Sequence, residues 1–153
     1  MTAKMVFATP TTVINTGNVI ANGAIAGGTT ILDNSSNLYP FATATLQVLG
    51  TFAAAPTDNS TIDLYMRRHA NVNSTVNDSA QPASTDLESA EYVGSFLIYN
   101  DDEEQRKTIT ISLAGVRQAH FFIINNTGQA ITGTGSPGGA TTVDIEPFSY
   151  EDA

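Results

Sequence analysis

The stretch "YPFATATLQVLGTF", residues 39–52, decides the fold. Within it Ala42, Ala44, Leu46 and Val48 alternate with Thr43, Thr45 and Gln47. A period of two places all the apolar side chains on one face of a strand and all the polar ones on the other. That is the pattern of a sheet with one dry and one wet face, which antiparallel sheets commonly have. The next segment, "AAPTDNST", supplies Pro56, Asp58 and Asn59 as turn residues. Beyond it the alternation returns, with Ile62, Leu64 and Met66 predicted inward and Asp63, Tyr65 and Arg67 outward.

The same reading extends towards the C-terminus. "EYVGSFLIYN" reads as a strand in which Gly94 marks a bulge. "DDEEQRK" reads as a charged hairpin tip, after which Ile109, Ile111 and Leu113 resume the alternation. Phe121, Phe122, Ile123 and Ile124 are apolar in succession, as in a strand covered on both faces, and this strand is the expected centre of the core. "GTGSPGG" is a turn, and "TTVDIEPFSYEDA" closes with Val143, Ile145 and Phe148. No segment offers an amphipathic helix. The expectation is an all-β chain, an antiparallel, jelly-roll-like β-sandwich of seven or eight strands.

Residues 1–37 read differently. Isolated Val and Ile residues stand among Gly17, Gly23, Gly27 and Gly28, with neither a helical stripe nor sustained alternation. The segment is therefore expected to be an extended N-terminal arm with short strands near Met5–Ala8 and Thr30–Leu32, and residues 38–153 to be the sandwich domain. So few apolar groups cannot offset the backbone entropy of ordering such an arm as a core of its own. Val13, Ile14, Val19, Ile20 and Ile25 are expected to add to the sheet edge of a neighbour. Residues 70–90 read as a long polar loop with almost nothing to build a core.

Composition narrows the function. The 153 residues carry 15 acidic and six basic side chains, a net charge of -9, which repels phosphate backbones and anionic lipid surfaces. Neither nucleic acid nor a membrane is expected as a partner. No apolar run approaches the roughly 20 residues that span a bilayer, and the first residues lack the apolar region of a signal peptide. A soluble chain without a secretory signal is the expectation.

Cysteine is absent and there are two histidines, His69 and His120, too few for most zinc sites. The run Asp101–Glu104 lacks the ligand alternation and glycine of a calcium loop. There is no G-x-S-x-G elbow. Neither a cofactor nor catalysis is expected. The N-x-[ST] sequences at Asn34, Asn59, Asn73, Asn77 and Asn125 are what an Asn- and Thr-rich chain produces by chance.

One cluster stands out in so acidic a chain: in "NSTIDLYMRRHANVN", residues 59–73, a half-buried strand runs into Arg67, Arg68 and His69. Alternation points Arg67 and His69 to solvent, with Arg68 just past the strand. As a site, the three would grip carboxylates of a neighbouring subunit, such as those of Asp101–Glu104, through charge-assisted hydrogen bonds.

Taken together, "LYPFATATLQVLGTFAAAPTDNSTIDLYMRRH", "EYVGSFLIYN", "FFIINNTGQAI" and "VDIEPFSYE" resemble accessory virion proteins of tailed bacteriophages, over about residues 31–150. The resemblance implies a non-enzymatic part of the particle with no catalytic residues to carry over. It implies a capsid decoration, or cement, protein on the virion surface, assembled in the host bacterial cytoplasm. Its partners would be the major capsid protein and copies of itself, arranged as a homotrimer. A tail- or fibre-associated binding module for host glycans is the alternative.

Overall fold

The computed structural model describes residues 2–28, 30–68, 90–133 and 140–152. His69, most of the expected 70–90 loop and most of the "GTGSPGG" turn lie outside them. Among the described residues there are ten strands and no helix. In chain order these are β1 (Ala3–Phe7), β2 (Thr11–Thr16), β3 (Ile25–Gly27), β4 (Leu32–Asp33) and β5 (Phe41–Val48), then β6 (Ser60–Arg68), β7 (Glu91–Ile98), β8 (Gln105–Ser112), β9 (Gln118–Asn126) and β10 (Thr141–Asp152). They form two antiparallel sheets, packed as a β-sandwich. The first runs β1-β10-β5-β8, with β2 beside β1 on the same flank of β10; the second runs β3-β9-β6-β7, with β4 also on β9.

The alternation in β5 translates directly into packing. Ala42, Ala44, Leu46 and Val48 are fully buried, as are Ile62 and Leu64 of β6, and they meet between the sheets with Phe96, Phe121, Ile123, Val143 and Ile145. Burying an aliphatic side chain contributes about 1.5–3 kcal/mol, so this layer holds the sheets together. β9 is covered on both faces: Phe121 and Ile123 face the core, while Phe122 and Ile124 are buried on the outer face.

The bulge expected at Gly94 is present. The β6–β7 register passes from Leu64↔Gly94 to Tyr65↔Tyr92, leaving Val93 as the extra residue. A side chain at Gly94 would come within 2.7 Å of Ile109 Cδ1 of the facing sheet, so glycine lets β7 and β8 close one side of the sandwich.

The N-terminal segment departs from expectation. Residues 1–37 are not an arm beside a domain of residues 38–153: β1 and β2 pair with β10 in the first sheet, and β3 and β4 with β9 in the second. Val13, Ile14, Ile20 and Leu32 belong to the core. The physical reason is a second bulge. Ile14 faces Val143 while Thr12 faces Asp144, so Val13 is the extra residue, and two successive apolar side chains both turn inward. Gly28 is part of the same packing, because any Cβ there would overlap the Val13 carbonyl. Four strands from this segment bring the total among the described residues to ten rather than seven or eight.

Candidate functional site

The basic strand end is the first candidate. Arg68 lies inside β6, at its last position, and β7 brings Glu91 alongside. The Arg68 guanidinium donates to both Glu91 carboxylate oxygens, at 2.7 and 3.0 Å, and to the Ala114 carbonyl at 3.2 Å. Its acidic partner is therefore on the adjacent strand of the same chain. The two side chains are 42% and 48% exposed, so the pair contributes at most about 1 kcal/mol. Arg67 stands opposite His120 of β9 on the outer face of the second sheet, with a partner of its own. His69 lies outside the described residues. The cluster thus divides between two faces of β6.

The acidic tip is a turn stabilised from beneath. Gln105, buried, receives the Tyr99 N–H through its side-chain oxygen and donates to the Tyr99 and Asp101 carbonyls. The carboxyl-bearing residues Asp101–Glu104 are exposed. Among the described residues no three His, Cys, Asp or Glu side chains come together as a metal-binding group, and no helix is long and apolar enough to cross a membrane.

The apolar residues expected to meet a neighbour are placed unequally. Val13, Ile14 and Ile20 are at most 3% exposed and serve the protein's own core, so they offer nothing to a neighbour's sheet. Val19 is exposed. It borders a shallow cleft of about 210 Å³ with Thr16, Ile20 and Ala24–Gly27, smaller than the roughly 300–1,000 Å³ of most small-molecule pockets. Two of the Asn-x-[Ser/Thr] asparagines are structural. Asn125, fully buried, donates to the carbonyls of Ile20 and Gln129 and accepts from the Thr127 hydroxyl. Asn34, also buried, ties Tyr39 to Val116.

Two aromatic clusters on the outer sheet faces escaped the sequence reading. On the first sheet, register aligns Phe7 of β1, Phe148 of β10 and Phe41 of β5 in one row. Phe148 lies 5.5 Å from Phe7, 5.6 Å from Phe41 and 5.8 Å from Tyr150. Phe148 is buried beneath them, but Met5, Phe7, Phe41 and Tyr150 remain 38–58% exposed. Together they make a contiguous apolar patch at one end of the sandwich. A signal for it existed: Phe41 shares the parity of Thr43 and Thr45, and Phe148 that of Asp144 and Glu146, so both are aromatics at wet-face positions.

On the second sheet the row is Phe122, Tyr65 and Tyr92. Tyr65 stacks on Phe122 at 5.7 Å and meets Tyr92 edge-on at 5.6 Å. Polar links tie this row down. Tyr92 Oη lies 2.7 Å from Ser95 Oγ, Ser95 donates to Asp63 at 2.6 Å, and Asn126 donates to the other Asp63 oxygen at 2.7 Å. Burial pushes the Tyr65 phenol above its ordinary pKa, aided by the Asp63 charge and by Tyr92. Asp33, at the end of β4, is held below the ordinary carboxylate value by the Ser35 hydroxyl and the Ser35 N–H, against a smaller opposing effect of burial.

No family model matches this chain, and no curated protein matches it in sequence.

Proposed function

We propose that the protein is a non-enzymatic virion component of a tailed bacteriophage, a capsid decoration protein that binds the major capsid lattice and stabilises it. The observation that carries this reading is the patch of Met5, Phe7, Phe41 and Tyr150 around Phe148. A polar, acidic sandwich that leaves several large apolar side chains together in water has a surface suited to another protein. The motifs that resemble accessory virion proteins supply the identity of that partner.

A tail- or fibre-associated module for host glycans is the second reading. It is favoured by Tyr92, 60% exposed beside Tyr65 and the Asp63–Ser95 pair, since an aromatic ring next to hydroxyl and carboxylate groups suits a sugar.

The deciding experiment mixes purified protein with capsids that lack it and measures the bound stoichiometry after sedimentation. Saturation at a fixed ratio to the major capsid protein supports decoration. Absence of binding, or binding at a few copies per particle, refutes it.

A further inference from the structure

We infer that two copies of this chain join edge to edge through β1, across a two-fold axis at Met5. β1 bounds the first sheet, with β10 as its strand partner among the described residues. The Ala8 N–H donates to the Pro147 carbonyl at 2.8 Å, and this fixes the phase of the ladder. In an antiparallel pair, bonded and non-bonded residues alternate. Lys4 and Val6, which face Glu151 and Ser149, therefore bond inward to β10. Ala3, Met5 and Phe7 turn their main-chain donors and acceptors away from it. The same alternation puts the Met5 and Phe7 side chains on the outer face, 42% and 49% exposed.

Unpaired edges template association unless something blunts them, and the other edges are blunted. β8 carries Arg106 and Lys107, β7 and β2 each lie at a bulge, and β3 and β4 are three and two residues long. β1 has regular pairing over its whole length and one charge, Lys4.

The edge is also self-complementary. With the two-fold axis at Met5, Met5 faces the partner's Met5, and Ala3 faces the partner's Phe7. Every one of these facing pairs joins residues whose main-chain groups are free of β10, so each exchanges two hydrogen bonds. Lys4 then falls opposite the partner's Val6 and never opposite another lysine. On the outer face the two aromatic patches become one band with the paired Met5 side chains at its centre. Closed two-fold contacts of this isologous kind are the commonest in oligomers. Such a dimer occupies β1 completely, so any three-fold contact would have to use other surface.

The test exploits the self-facing position. Multi-angle light scattering over a concentration series should give twice the 16.1 kDa chain mass. Met5→Lys and Met5→Glu place like charges across the axis, so each variant alone should run as a monomer with an unchanged circular dichroism spectrum. An equimolar mixture of the two should regain the dimer mass. Met5→Pro, which removes an N–H that β10 does not use, should also be monomeric. A monomeric or trimeric wild-type chain, or a dimer that survives both charged variants, overturns the proposal; so does failure of the mixture to recover the dimer.

Discussion

The two outer faces of the sandwich use the same device, a row of aromatic rings across three strands, and finish it differently. On the second sheet the buried ring, Phe122, stacks on the central Tyr65, whose other neighbour Tyr92 is tied through Ser95 to Asp63 and Asn126. The row ends in hydrogen bonds, so it presents water with polar atoms. On the first sheet the central ring, Phe148, is covered by Phe7, Phe41 and Tyr150, and that cover is carbon apart from the Tyr150 hydroxyl. Phe122 and Phe148 are buried to a similar degree. What distinguishes the faces is the rim, and the rim decides which face gains by meeting another protein.

The largest expected effect would remove the comparison altogether. Deleting residues 2–28 takes β1 and β2 from the first sheet and β3 from the second, together with Val13, Ile14 and Ile20 from the core. The truncated chain should show no cooperative thermal transition by calorimetry. A melting curve close to that of the full chain would mean that the N-terminal strands contribute little to the fold.

Single rings sharpen the contrast. Phe122→Ala should cost about 3–5 kcal/mol in urea unfolding, the usual range for a buried phenylalanine. Phe148→Ala should cost less, about 2–3 kcal/mol, because its exposed neighbours can settle into the space. Equal losses would show that the first face is as rigidly packed as the second. At the rim, Tyr92→Phe removes one hydroxyl contact and should cost about 0.5–1.5 kcal/mol. No measurable change there would mean that the polar finish of the second face is ornamental to stability.

Much of this architecture was legible in the chain. The alternation of β5 and β6, the doubly apolar run of β9 and the glycine at the β7 bulge each translate one local rule into one observed feature. Residues 1–37 were not legible, because a bulge at Val13 breaks the period of two at the point where the segment enters the core. Glycines such as Gly28 read as looseness, whereas close backbone approach requires them. For Arg68 the sequence offered the charge but not the address: Glu91 lies 23 residues away and is brought alongside only by β6–β7 pairing. The aromatic rows were hidden for a related reason. Phe7, Phe41 and Phe148 each look like an isolated residue until strand register aligns them.

The proposed function makes the first sheet's outer face the working surface. Two matched variants test it most directly: Phe41→Lys on that face and Tyr92→Lys on the other, each compared with wild type for binding to capsids lacking the protein. Both residues are partly or largely exposed, so both variants should keep the fold. Phe41→Lys should lose most of the binding while Tyr92→Lys retains it. Loss in Tyr92→Lys with retention in Phe41→Lys would contradict this and move the contact to the second sheet.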